Sequence, residues 1–207
     1  MGISAEQLRA SLDALAKIEP AFATAIARIG YPPPRIRDRG YDTMLRAIVG
    51  QQVSIKAAAA ILAKIDAATG GMHDPANIAA TSDEALRAAG LSRQKIAYLK
   101  SLAGDVLEGR LDFHALPDDD EAAIAAMTHV KGIGRWTAEV YLLFAEGRPD
   151  IFPAGDLAVQ VEIGRILGLD ERPTEKQVRA LAEPWRPHRG AAAIFAWHHR
   201  HMQGVAG

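Results

Sequence analysis

Apolar residues return every three or four positions along nearly the whole chain, and no stretch alternates with period two over strand length, so the pattern predicts helices throughout. Leu8, Leu12 and Leu15 mark a first helix behind a Ser4 cap. Phe22, Ile26 and Ile29 mark a second, which opens at Pro20, where the missing N–H is not needed, and stops at Gly30. The prolines of YPPPRIRDRG then forbid a helix. A third helix is expected from an Asp42 cap through Met44, Leu45, Ile48 and Val49, and a fourth from a Ser54 cap through Ile61, Leu62 and Ile65 to Gly70 and Gly71. Further helices fit 83–88, 93–108 behind Ser92, 119–127, 135–146, 157–167, 175–183 behind Thr174, and 190–200, about ten in all. The expected fold class is all-α, without a repeat of solenoid length.

Two interruptions stand out, the proline-rich loop at 31–40 and the turn EGRPDIFPAGD at 146–156. Taken as boundaries they give two helical lobes, one of residues 41–148 and one of 1–40 with 149–207, and a cleft between the lobes lined by residues near 156. A chain of 207 residues, 49% of them apolar and 24% charged, has enough material for a real core in either arrangement. The N-terminus lacks a basic segment followed by an apolar run, and no stretch approaches the ~18 apolar residues of a membrane span, so a cytosolic location without a membrane partner is expected. The absence of cysteine removes disulfides, thiol nucleophiles, cysteine-type zinc sites and iron–sulfur clusters. His198, His199 and His201 lack carboxylates at matching spacing and read as a solvated helix end. A net charge of -1 falls short of the basic footprint of a phosphate-binding protein. The runs Arg35, Arg37, Arg39 and Asp118, Asp119, Asp120, Glu121 read as solvated charge.

Two segments carry candidate chemistry. In MTHVKGIGRWTAEV, Gly132 and Gly134 flank Ile133 immediately before a helix. Glycines there allow a tight turn or a close backbone approach, and the amides from Gly134 through Thr137 would present the positive end of the helix to a phosphate. The same pattern also serves as a plain connection between two packed helices, with Ile133 as the plug. The second segment is PAGDLAVQVEIGRIL, where Asp156 lies 22 residues beyond Gly134 at the start of a helix. Read from the residues alone, it is first of all an N-cap.

Taken together, LRAIVGQQVSIKAAAAI (45–61), GLSRQKIAYLKSLA (90–103), VKGIGRWTAEVYLLFA (130–145), DIFPAGDLAVQVEIGRIL (150–167) and WRPHRGAAAIFAWHH (185–199) resemble, in order, the helix-hairpin-helix DNA glycosylase superfamily, and within it the 3-methyladenine DNA glycosylase II branch. The resemblance implies a helix-hairpin-helix that grips damaged double-stranded DNA through Lys131, Gly132, Ile133, Gly134 and Thr137, with few basic side chains. It implies that Asp156 is the catalytic carboxylate, facing the sugar of an extruded nucleotide. Bifunctional relatives that excise oxidised bases carry a nucleophilic lysine where this chain has Trp136, so the resemblance implies hydrolysis without strand cleavage. Trp136 and Trp197 match aromatic positions of the family's base pocket, although core packing accounts for Trp197 equally well; Trp185 reads as packing. Where the family has a further aromatic residue this chain has Val140, and the adjacent Tyr141 is expected to join Trp136 and Trp197 in the base pocket. Gln52 occupies the position of the side chain inserted into the duplex, although Gln51 and Gln52 serve equally well as polar residues closing a helix turn; Lys131 replaces a common hairpin proline. The carbonyls of Thr128, Val130 and Ile133 match those that hold a monovalent cation in some family hairpins; no other cofactor is implied.

The expected function is therefore a monomeric, monofunctional glycosylase acting on alkylated purines in base excision repair. The alternatives are a non-catalytic helix-hairpin-helix DNA-binding module, a bifunctional glycosylase/lyase for oxidised bases, and a helical protein-binding scaffold.

Overall fold

Helices begin where a side chain satisfies the first exposed amides, and this chain supplies such residues repeatedly. The computed structural model describes residues 2–205. It contains α1 (Ala5–Ile18), α2 (Pro20–Ile29), α3 (Tyr41–Gly50), α4 (Ile55–Thr69), α5 (Pro75–Ala80) and α6 (Asp83–Ala88). These are followed by α7 (Arg93–Leu107), α8 (Asp120–Thr128), α9 (Arg135–Tyr141), α10 (Leu157–Ile166), α11 (Glu175–Ala182) and α12 (Arg189–Val205). Ser4, Ser54, Ser92 and Thr174 cap α1, α4, α7 and α11, and Asp119 caps α8. No strand occurs among the described residues, so the protein is all-α. No helix of the described residues is long and apolar enough to cross a membrane.

Three local features depart from the expectation. Helix α3 starts two residues early, at Tyr41, with Gly40 at the cap in a left-handed conformation (φ 115°). Asp42 is thus not the cap; its carboxylate pairs with Arg46 at 2.6 Å and with His73 at 2.8 Å. The short helix α5, capped by Asp74, has too few residues to leave a periodic signature. Residues Leu142–Glu146, expected to complete a regular helix from 135, instead take the wider π form.

The chain forms two compact units, residues 38–141, and residues up to 37 together with those from 142 onward. One limit falls inside the proline-rich loop. The other falls at 141/142, where α9 gives way to the π turn, ahead of the 146–156 turn that punctuation suggests.

In the unit formed by the chain ends, α12 packs against α1, α2 and α10. Residues Ala191 through Ala196 are all buried, and their mostly small side chains let neighbouring helices approach closely. Phe22 lies edge-on to Trp185 at 5.2 Å and near Phe195 at 5.9 Å, so Trp185 does pack in the core. His199 is not solvated: it is buried against Glu162, with 2.7 Å between Nδ1 and the carboxylate, while the Arg28 guanidinium donates to Nε2 at 2.7 Å. Histidines at 198, 199 and 201 point in different directions around a helix, and one of them faces the core.

In the other unit, α7 is the central element, packed against α3, α5 and α6. Helix α3 also meets α4 and α9, and α8 meets α9. Met44, Leu45, Ile48, Val49, Ile78, Leu86, Ile96, Leu99, Leu102 and Met127 form its interior.

Candidate nucleic-acid interface and catalytic carboxylate

The hairpin between α8 and α9 is built by its own backbone and by a residue that plugs it. Val130 N–H donates to Met127 O at 3.2 Å and Ile133 N–H to Val130 O at 3.1 Å, closing two successive turns. Ile133 is buried, as its place between the glycines suggests. Gly132 has φ 94°, and a Cβ added there would lie 2.2 Å from Cγ of Tyr98, so both conformation and space demand glycine. Gly134 is different. Its φ is not in the left-handed region and a Cβ there would meet nothing within 4 Å. The fold itself makes no demand for glycine at 134, whereas close approach of a partner's backbone would.

The hydrogen bonding of α9 begins with Ala138 N–H donating to Gly134 O at 3.0 Å, so the amides of residues 135–137 precede the helix's own ladder, the arrangement that suits an anion. The side chain of Thr137 is buried, which leaves its backbone as the part able to serve such a site. Arg135 anchors the entry to α9 by donating to both carboxylate oxygens of Glu121 and, at 2.9 Å, to the buried Glu139. The bond to Glu121 is the main cause that holds the arginine's pKa above its ordinary value; burial opposes it, and Glu139 adds to it. Lys131 is exposed, with its amide donating to Ser101 Oγ at 3.3 Å.

Gln52 belongs to the same unit, in the turn that follows α3, and its φ of 56° makes it a non-glycine residue in left-handed conformation. Such backbone costs about 1–3 kcal/mol and persists only where its surroundings hold it. Here Lys95 Nζ, from the first turn of α7, donates to the carbonyls of Val49 and Gln51 at 2.7 Å each. The amide side chain of Gln51 donates to Gly132 O at 3.3 Å, tying this turn to the hairpin. Burial lowers the pKa of Lys95 below the usual lysine value.

Of the aromatic candidates, Trp136 is 47% exposed on α9 and Tyr141 only 3%. Tyr141 is committed to the interior, its ring against Phe113 at 5.2 Å and its hydroxyl accepting from Gly40 N–H at 2.7 Å, so it offers no face for a base to stack on. Trp197, in the other unit, is half-buried beside Phe144, with ring centroids 5.5 Å apart and planes tilted by 33°.

Asp156 caps α10, accepting from Val159 N–H at 3.0 Å. The segment leading to it is buried from Ile151 through Ala154 and braced throughout. Asp150 accepts from Arg186 at 2.6 Å and from Arg189 at 2.9 Å. Pro149 O accepts from Gly190 N–H at 2.8 Å, Ala154 O from the buried Gln160 amide at 2.8 Å, and Pro153 O from Asp156 N–H at 2.9 Å. A carboxylate delivered on such a segment is fixed in direction before any substrate arrives. Candidates therefore divide, with the hairpin, Gln52, Trp136 and Tyr141 in one unit and Asp156 and Trp197 in the other.

Residues 45–187 match the model of the HhH-GPD superfamily of base excision DNA repair proteins. The chain belongs to this family. It is similar to DNA-3-methyladenine glycosylase 1 of Schizosaccharomyces pombe, 34% identical over 173 residues that make up 81% of this chain and 76% of that protein. Among solved structures it resembles a DNA-3-methyladenine glycosidase from Bacillus halodurans, with TM-score 0.83, 31% identity, and coverage of 90% of this chain and 87% of the other. It also resembles the S. pombe 3-methyladenine DNA glycosylase Mag1 in complex with abasic DNA, with TM-score 0.77, 31% identity, and coverage of 90% and 94%.

Within this HhH-GPD chain, sequence reasoning passed over Lys95 and Tyr98. Lys95 does leave a trace: a cation in the first turn of a helix opposes the helix dipole, so something else must hold it there. The carbonyls at the end of α3 do so, and nothing along the chain announces that pairing.

Proposed function

We propose that this HhH-GPD protein is a monofunctional DNA glycosylase that hydrolyses the glycosidic bond of alkylated purines of the 3-methyladenine type in damaged duplex DNA, acting as a monomer in base excision repair. The observation that carries the reading is Asp156, a carboxylate presented at the start of α10 by a buried, many-times-bonded segment. The amides around Gly134 bind the strand's phosphate, Gln52 enters the space left by the extruded nucleotide, and the exposed Trp136 offers its face to the base. A purine methylated on the ring is cationic, and its leaving draws little on acid catalysis. The C–N bond breaks with its electron pair going to the base, which departs neutral. The sugar is left with positive charge, and the fixed carboxylate of Asp156 stabilises that charge more than water would. A water molecule then adds to the sugar and releases a proton, leaving an abasic site.

The position where bifunctional relatives carry a lysine nucleophile is Trp136, whose indole forms no Schiff base. The chemistry as proposed draws on side chains and water. The hairpin carbonyls fit a monovalent cation in kind. Thr128 ends α8, so its carbonyl is among those left over at a helix terminus; that of Ile133 precedes the ladder of α9; and that of Val130, already taken by Ile133 N–H, has a second lone pair. An ion held there would add positive charge beside the phosphate.

The test is an excision assay on methylated duplex in which each liberated base is identified, run on the wild type and on Asp156→Asn. Asparagine keeps the cap, so the variant folds and binds DNA, while base release falls by about 10²–10³-fold. Excision by Asp156→Asn at the wild-type rate refutes the assignment, and a covalent adduct trapped by borohydride refutes hydrolysis without a lyase step.

A further inference from the structure

The left-handed backbone at Gln52 is held in place from α7, and one face of that helix also carries the hairpin. Lys95, Tyr98 and Ser101 follow one another at intervals of three along α7, so their side chains lie along one side of it. The ammonium of Lys95 binds the carbonyls of Val49 and Gln51, at the C-terminal end of α3 where helix carbonyls lack partners and the dipole is negative. The Tyr98 ring lies where a Cβ on Gly132 would fall, and Ser101 Oγ accepts from Lys131 N–H at 3.3 Å. Gln51 closes the ring of contacts through its bond to Gly132 O. One helix thereby sets both the turn that presents Gln52 and the hairpin that grips the strand.

We propose that Lys95 is a positioning residue for base extrusion: it fixes the turn carrying Gln52 in register with the hairpin, and it acts through Gln52 rather than by touching DNA. This rests on the reading of Gln52 as the inserted side chain. With both carbonyls held, the turn enters the duplex already shaped, and no reordering of the Gln52 backbone is needed at the moment of insertion. Without the ammonium, the two carbonyls lose their donor and the turn relaxes towards ordinary backbone, and the Gln52 side chain loses the position that the held turn gives it.

The experiment uses the full chain, with a duplex carrying 2-aminopurine beside a tetrahydrofuran abasic analogue to report insertion, and a methylated duplex to report excision. In Lys95→Met, the fluorescence rise and single-turnover excision both slow by about 10- to 100-fold, the scale of a small misplacement of a positioned group. Equilibrium affinity for the tetrahydrofuran duplex changes by less than about threefold, because the phosphate contacts are elsewhere, and its salt dependence keeps the wild-type slope. Lys95→Arg, which can still serve two carbonyls, recovers most of the rate. In a Gln52→Ala background, Lys95→Met adds less than about a twofold effect, the non-additivity expected of residues acting through one another.

Wild-type insertion kinetics in Lys95→Met overturn the proposal. So does an undiminished effect in the Gln52→Ala background, and so does a salt slope reduced by about one, the mark of a lost phosphate contact. Should Lys95→Met fail to fold, Gln51→Leu removes only the link to the hairpin carbonyl. Slowed insertion in that variant supports the coupling, and unchanged insertion overturns it. If the wild type inserts into the tetrahydrofuran duplex but excises no methylated base, the proposed activity falls while the Lys95 inference stands.

Discussion

Two glycines two residues apart should respond in opposite ways to the same substitution. In Gly132→Ala, the new methyl group meets Cγ of Tyr98 at 2.2 Å and its Cβ at 2.7 Å, so the ring cannot clear it by rotating about its own axis. The left-handed backbone, φ 94°, adds about 1–2 kcal/mol and the overpacking about 1–3 kcal/mol, for a total of about 2–5 kcal/mol. For a chain of 207 residues that corresponds to a fall in Tm of about 4–20 °C. In Gly134→Ala the methyl group enters open space with no positive φ to strain, and only the preference for glycine over alanine at a helix start is lost, under about 1 kcal/mol. Its effect falls on DNA instead. Keeping one phosphate away from its amide forfeits a charge-assisted hydrogen bond of about 1.5–3 kcal/mol, or about 10- to 100-fold in affinity. Thermal unfolding by circular dichroism and fluorescence anisotropy with a tetrahydrofuran duplex measure the two effects. A wild-type Tm for Gly132→Ala would contradict the packing of Tyr98 under the hairpin. Wild-type affinity for Gly134→Ala would mean that no DNA backbone approaches there.

Three further outcomes are expected. Trp136→Ala leaves Tm within a few degrees, since the indole is 47% exposed, but slows excision of cationic bases by about 2- to 30-fold through loss of about 0.5–2 kcal/mol of cation–π attraction; an equal loss on the neutral base hypoxanthine would exclude that cause. Asp150→Asn weakens the brace from Arg186 and Arg189, lowers stability by about 2 kcal/mol, and reduces kcat more than DNA affinity; loss of affinity alone would show that the segment before Asp156 does not depend on it. Burial, seconded by His201, Arg35 and His199 and opposed by the Ile29 carbonyl, holds the pKa of His198 below its ordinary 6.5. As pH falls through 6.5 the unfolded chain takes up a proton that the folded chain does not, so stability declines until the lower, folded-state pKa is passed. His198→Gln should flatten the fall in Tm on acidification from neutral pH, and an unchanged profile would remove His198 from the account.

The sequence by itself determined most of the helices, because what starts and stops a helix lies within a few residues: the caps at Ser4, Ser54, Ser92 and Thr174, and the glycine at 70, are local chemistry. The hairpin turn and the cap at Asp156 were legible for the same reason, and so was the burial of Ile133 between its glycines. Only the tertiary structure decided what depends on partners far along the chain. His199 reads as solvated until Glu162 and Arg28 meet it, and Tyr141 reads as a pocket residue until Phe113 and the Gly40 amide take its two ends. For Lys95 it is the end of α3, more than forty residues earlier, that supplies two carbonyls. Side-chain period tells which face of a helix is apolar, but which polar group finds a partner is settled when separate helices pack, since hydrogen bonds and ion pairs act over a few ångströms and carry no mark in the spacing of residues.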